Sequence, residues 1–305
     1  MLVALAGGCD EPFAPYSDLD RLRVLAVAAE PATPPAGQET TLSALAFAPK
    51  NETIAYRWSW CPADAPATKQ YVCPLDDAAA AQIFLPFVDP KAGTLPPLAL
   101  GDLPSVQWTN PFAAAALAPL CDNGLASPIL SQSFDCDGGF PVTVVLDVAT
   151  ASASLRAGFV LHLPVGDAPE LNANPLPDAL TLGGVPLGDP PATIAVKPGQ
   201  SLDLDAAIAP SAVEVRSIPA YEGPPGQRLE RLTASWFADA GKIDKARTSF
   251  IDGEATLAQA GHNSWTAPDT SSWPPDGLVE LAVVLRDDRG GVGWMVRHVI
   301  LEQAP

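Results

Sequence analysis

Positive charge is scarce in this chain. Its 305 residues carry 17 lysines and arginines against 35 aspartates and glutamates, a formal net charge of −18. That balance excludes nucleic acid as a partner, because phosphate backbones are bound by basic surfaces. It also disfavours attachment to anionic lipid through charge. No apolar run approaches the roughly 20 residues a helix needs to span a bilayer. Histidine is rare, with only His162, His262 and His298. The G-x-S-x-G, H-E-x-x-H and G-x-x-x-x-G-K patterns are all missing. The chain therefore reads as non-enzymatic, with no cofactor expected. His162 and His298 fall at nearly equivalent places in two late strands. With no nucleophile or second ligand near them in sequence, they read as strand residues at a domain edge.

Proline, by contrast, is abundant. Thirty-four prolines and 23 glycines punctuate a chain that is 48% hydrophobic. Interior proline removes a helical hydrogen bond and clashes with the preceding turn, so long helices are excluded. Short apolar runs between turn residues point to an all-β fold. Five cysteines are present: Cys9, Cys61, Cys73, Cys121 and Cys136. Setting Cys9 apart leaves an even set, which in an exported protein reads as disulfides. The local pairs Cys61–Cys73 and Cys121–Cys136 are favoured, because short loops close at low entropic cost. A zinc site is less well supported, since C-x-x-C spacing and nearby histidines are both missing.

Alternation locates the strands. In "TIAYRWSWCP", Ile54, Tyr56, Trp58 and Trp60 share one face, which suits a half-buried pleated surface. Val142, Val144, Leu146 and Val148 alternate, and "LRAGFVLHL" returns after a turn as a hairpin. Val279, Leu281, Val283 and Leu285 begin a second hairpin, turning at Asp287-Asp288-Arg289-Gly290-Gly291, where glycine supplies positive φ. The order repeats. Gly37-Gln38, Trp58 and the hairpin 142–163 in the first half match Gly199-Gln200, Trp236 and the hairpin 279–301 in the second.

A turn, a strand with an inward tryptophan and a closing hairpin, in a unit of roughly 100 residues, is how an immunoglobulin-like sandwich reads. "VELAVVLRDDRGG" and "SWFADAG" resemble the Ig-like and PKD-like modules of bacterial surface proteins, the second with its Trp-Asp-Gly echo displaced by one residue. The resemblance implies two Ig-like β-sandwich domains, 20–165 and 192–305. In the first, residues 62–140 form a long disulfide-held insertion. Asp76–Ala81 and Pro111–Leu120 within it are expected to form short helical turns. Residues 166–191, rich in proline, are expected to be a linker.

The opening "MLVALAGGCDEP" resembles the end of a bacterial lipoprotein signal, with Ala6-Gly7-Gly8 before the cysteine. This implies lipidation of Cys9, residues 1–19 as signal remnant and tether, and export to a Gram-negative cell envelope, held to the membrane only through the lipid. The function expected is adhesion, scaffolding or docking of a protein or glycan partner at the envelope. Two alternatives remain open: a carbohydrate- or calcium-binding surface module, and a hydrolase with its site in the insertion. Candidate calcium ligands are Asp135, Asp137, Asp287 and Asp288, where carboxylates gather at turns, although Asp and Gly are also what hairpin turns favour. Candidate sugar-stacking residues are Trp265 and Trp273, although a tryptophan at a strand end more often covers the core.

Overall fold

A computed structural model describes residues 15–49, 52–136, 138–166, 171–218 and 223–304. The chain is all-β and immunoglobulin-like, as its alternation requires. In the N-terminal half the strands are β1 (Arg23–Glu30), β2 (Glu39–Phe47), β3 (Ala55–Cys61), β4 (Ala99–Gly101), β5 (Ser105–Thr109), β6 (Leu125–Ala126), β7 (Ser131–Gln132), β8 (Phe140–Ala149) and β9 (Ser154–Leu163), with helices α1 (Asp77–Phe84) and α2 (Ala114–Asn123) between them. A three-stranded sheet, β1-β2-β5, faces a four-stranded sheet, β4-β3-β8-β9. Trp58, Trp60, Val144, Leu146 and Val148 from one sheet meet Leu42, Val106 and Trp108 from the other in a single core.

Both expected helical turns form. The Asp76 carboxylate caps α1 by accepting from the Ala79 amide at 2.8 Å, satisfying a backbone donor that a helix start leaves open. Phe84 from α1 and Leu117 and Leu120 from α2 extend the core. Phe112 links Trp60 to Phe84 and Phe140 through ring contacts of 6.0 to 6.2 Å. The stretch 62–140 is therefore not insertion throughout. Its strands β4 and β5 belong to the two sheets, and β5 brings Trp108 into the core.

The C-terminal half contains β10 (Ala179–Leu182), β11 (Val185–Pro186), β12 (Ala192–Val196), β13 (Ser201–Ala207), β14 (Val215–Ser217), β15 (Gln227–Leu229), β16 (Leu232–Ala238), β17 (Lys242–Ile243), β18 (Arg247–Phe250), α3 (Leu257–Ala260), β19 (His262–Thr266), β20 (Leu278–Asp287) and β21 (Val292–Gln303). Two five-stranded sheets, β11-β10-β13-β19-β17 and β12-β21-β20-β16-β18, enclose a second core around Trp236 and Trp265. The region 166–191 is thus only partly a connector, because β10 pairs with β13 from Ala179 to Leu182 and is a working member of the sheet.

The internal repeat is visible in the hydrogen bonds. Gly37 and Gly199 both adopt φ of +72°, a conformation that glycine enters without a Cβ clash. The Gln38 and Gln200 amides each donate back three residues at 3.0 Å, to Pro35 and Lys197. The two glutamine carbonyls then accept from Asn110 at 3.0 Å and Ala267 at 2.9 Å, each two residues beyond a buried tryptophan, Trp108 or Trp265. The Trp108–Trp265 equivalence was not visible in the alternation, because β5 and β19 are short and flanked by loops.

A third apolar cluster joins the sandwiches. Leu25, Ala26 and Ala28 of β1, with Leu45 and Phe47 of β2, pack on Phe237, Ala282, Val284 and Val292 of the second sandwich, with Trp294 and Val296 beside them. Strand β1 is apolar on both faces, since Val27 and Ala29 point into the first core. A bulge between Val24 and Ala26 makes this possible by turning two successive residues, Leu25 and Ala26, toward the junction,. The Leu25 carbonyl accepts from the Arg286 guanidinium of β20. Asn174 completes the seal, donating to the Ala29 carbonyl at 2.7 Å and accepting from the Val292 amide at 2.8 Å. Residues 15–19, expected to be free tether, dock here too. The Leu19 amide donates to the Ala238 carbonyl at 3.0 Å, and the Tyr16 ring lies 5.4 Å from that of Phe237.

Leu25→Asp would bury an unpaired carboxylate in this junction, a change that costs several kcal/mol in a dry site (~3 or more). Urea unfolding of the variant should resolve into two transitions, one per sandwich. A single transition at the wild-type midpoint would show that the junction carries no stability.

Candidate functional site

The outer face of the four-stranded sheet carries an open groove of about 730 Å³. Register assembles its floor. Arg57 on β3 pairs with Asp147 on β8, which pairs with Arg156 on β9. Alternation places all three on the face opposite Trp58 and Leu146. The Arg156 guanidinium grips Asp147 with two bonds, 2.6 Å from Nε and 2.9 Å from Nη2, and the carboxylate raises the arginine's already high pKa. The pair is partly exposed, so it contributes little to stability. Its consequence is positional: Asp147 is committed to Arg156. The Arg57 side chain, exposed beside it, makes no hydrogen bond or ion pair with any other described residue.

The groove's wall is the segment that follows β3. A disulfide joins Cys61 to Cys73, with Cα atoms 5.6 Å apart, and folds the intervening residues back over the sheet. Gln70 and Tyr71 both take φ of +55°. Residues with side chains enter this left-handed region at a cost of about 1–2 kcal/mol each. The Tyr71 ring lies against Gly158 on β9, where a Cβ would come within 2.2 Å of the ring carbons. Glycine at 158 is thus the seat of the aromatic wall. Ser154 also lines the groove, whereas Tyr56 lies on the inward face with Trp58 and packs against the core, where burial pushes its phenol up.

The second disulfide, Cys121–Cys136, ties the end of α2 to the loop before β8. Both pairs are the local ones that loop closure favours, and they place the folded chain in an oxidising, exported setting. No helix among the described residues is long and apolar enough to cross a membrane. Cys9 lies outside the described residues.

The other residues singled out in the sequence are distributed differently. Trp265 is wholly buried, and its indole nitrogen donates to the Ala240 carbonyl at 3.0 Å, so it is a core residue and cannot stack on a sugar. Trp273 packs partly buried against the same core. Asp287 and Asp288 do not converge on a vacant cation site. The Asp287 carboxylate accepts from the Arg289 and Gly291 amides at 2.8 Å each and from Asn172 at 3.1 Å, locking the hairpin turn. Asp288 receives the Arg228 guanidinium and faces Arg216 at 3.8 Å. Arg289 in turn bridges Glu230 and Glu214. The turn is therefore neutralised by arginines distant in sequence, which no local spacing reveals. Asp135 is exposed beside the Cys121–Cys136 disulfide, and Asp137 lies outside the described residues. Among the described residues no three metal-ligating side chains gather as a site.

The histidines are scattered. His162 sits half-buried with Nδ1 3.4 Å from the Gly139 carbonyl, and desolvation lowers its pKa. His262 contacts Asp205 at 2.7 Å across β13 and β19, and His298 contacts Glu280 at 3.2 Å across β20 and β21.

No protein-family model and no curated protein matches the chain. Solved structures align with it only loosely. Three N-terminal domains of the bacteriophage RB49 outer capsid protein Hoc align at 9% identity over 93% of this chain and 71% of theirs, with a TM-score of 0.20. A chimeric titin Z1Z2 tandem aligns at 10% identity over 92% and 99%, with a TM-score of 0.21. A nucleoside hydrolase-related hypothetical protein from Saccharophagus degradans aligns at 13% identity over 44% of this chain, with a TM-score of 0.22, and the chain spans only 26% of that protein's length. At such scores none of them carries a functional assignment.

Replacing Cys61 and Cys73 together by serine should lower stability by about 3 kcal/mol, the loop-closure value for a short ring. It should also release the groove wall, read as amide exchange in residues 66–73 rising toward the unprotected rate. Exchange as slow as in the wild type would show that the wall stands without its disulfide.

Proposed function

We propose that the chain is a non-enzymatic cell-envelope protein, anchored by lipid at Cys9, that docks a partner on the outer face of its N-terminal sandwich. The observation that supports docking is the groove itself. Its floor is a rigid sheet face, its wall is pinned by a disulfide, and its exposed groups are hydrogen-bonding and charged. A face built to hold rather than to move is what recognition favours, since preorganisation reduces the entropy lost on binding.

The anchor is supported by the Ala6-Gly7-Gly8-Cys9 pattern and by the oxidising setting of the disulfides. The docking of residues 15–19 on the second sandwich adds a geometric consequence. Six residue steps separate Cys9 from Pro15, which at full extension reach only about 20 Å. A lipid on Cys9 would hold the body close to its membrane rather than on a long stalk.

Expressed in a Gram-negative host with a complete signal, the chain should fractionate with membranes, and mass spectrometry should find an acylated Cys9 as the first residue. Cys9→Ser should move it to the soluble periplasmic fraction. A photo-crosslinking residue at position 57 should capture a partner in intact cells of the source organism, whereas one at exposed Lys197 should not. An intact Met1 on the mature protein would refute the anchor, and equal capture from both positions would refute the docking face.

A further inference from the structure

The groove's chemistry specifies its occupant further. We infer that it binds a sugar carrying a single carboxylate, a hexuronate unit on an otherwise neutral glycan. The inference rests on the docking reading but is independent of the lipid anchor.

The internal repeat supplies the first line of reasoning. Trp58 pairs with Leu146 just as its counterpart Trp236 pairs with Val283. One residue earlier in each Trp strand begins a cross-strand row on the outer face. In the second sandwich that row is Ser235–Val284–Trp294, and it lies at the junction with the first. In the first sandwich the equivalent row is Arg57–Asp147–Arg156. The position that stacks against another sheet in one copy is therefore charged in the other. A sandwich docked there would bury three ionised groups, which is costly without full pairing. The face is made for a polar ligand.

Charge selects its sign. The groove is lined by two arginines and one aspartate, a local excess of +1 in a chain whose formal net charge is −18. Asp147 already satisfies Arg156, leaving the Arg57 guanidinium with its donor fork available among the described residues. A planar guanidinium matches a carboxylate with two parallel bonds. The rest of the surface is acidic and repels densely charged polymers, so an isolated carboxylate fits and a polyanion does not.

Shape selects the ring. The lining residues Arg57, Gln70, Tyr71, Ser154 and Arg156 offer hydroxyl, amide and guanidinium groups around an open trench. Such a lining differs from the mostly apolar pocket of a typical small-molecule site. The floor presents side chains rather than free backbone along β8, while β9 lies at the sheet edge, so strand addition by a peptide is the competing mode that the peptide probe tests. Vicinal hydroxyls of a sugar match these groups, and Tyr71, held in place by Gly158, supplies the aromatic wall on which a pyranose face packs,.

The test is an NMR titration of the full chain with three probes: a xylotetraose bearing one glucuronate, plain xylotetraose, and an acetylated tetraglutamate peptide. The glucuronate probe should shift resonances of residues 55–57, 70–71 and 154–156. Plain xylotetraose should bind roughly tenfold more weakly, the value of one charge-assisted contact. Arg57→Ala, at an exposed position that leaves the fold intact, should cause a similar loss, and Arg57→Lys a partial one. Equal binding of the neutral sugar, or wild-type affinity in Arg57→Ala, would overturn the proposal. So would absence of shifts at about 10 mM glucuronate probe. Equal or tighter binding of the peptide at the groove would overturn the sugar while leaving the docking face standing. Capture at position 57 without glucuronate binding would do the same.

Discussion

Strand β1 is buried on both faces, and the rest of the architecture depends on that constraint. Its Val27 and Ala29 close the first sandwich, while its Leu25, Ala26 and Ala28 close the junction with the second. A regular strand would give the two faces strictly alternate residues. The bulge at Leu25 breaks the alternation and leaves a carbonyl to be satisfied, and Arg286 satisfies it from the other sandwich. Hydrophobic contact supplies the driving force at this junction. The Arg286 bond and the Asn174 bridge fix its geometry, because breaking either would leave a buried polar group without a partner.

That junction decides which surfaces remain for function. It covers the outer face of β16, β20 and β21 with the sheet formed by β1, β2 and β5. The outer face of the four-stranded sheet, its counterpart by internal repeat, stays open and is instead crossed by the segment between Cys61 and Cys73. Two copies of one framework have thus diverged on the same face, one toward apolar packing and one toward a charged row with an aromatic wall. The divergence lies in a few outward positions. The inward tryptophans Trp58 and Trp236 remain and are equally buried.

Much of this was legible in the sequence. The alternation in "TIAYRWSW" and in both hairpins fixes their inward faces, and loop length alone selects the two disulfides. The apolar run in "VLAVAA" carried a signal for burial on two faces, since only a strand covered on both sides tolerates it. What the sequence could not show depends on register or on distant partners. Arg57, Asp147 and Arg156 are far apart along the chain and become a row only when three strands align. Asp287 and Asp288 look like metal ligands until Arg228, Arg216 and Asn172 arrive from elsewhere. Trp265 looks available until β19 is seen to pair with β13 and turn it inward. The stretch 166–191 looks like a linker because proline and low charge mark it, yet the short strand β10 is stabilised by its neighbour rather than by its own composition.

The central claim is that the two sandwiches form one rigid stack through β1, leaving the Arg57 face free. Pulsed electron–electron resonance between spin labels at Ala151 and Asp252, exposed residues in separate sandwiches, tests it most directly. A single narrow distance distribution, unchanged by viscosity, is the result a rigid stack predicts. A broad distribution, as from bodies joined by a flexible connector, would contradict it.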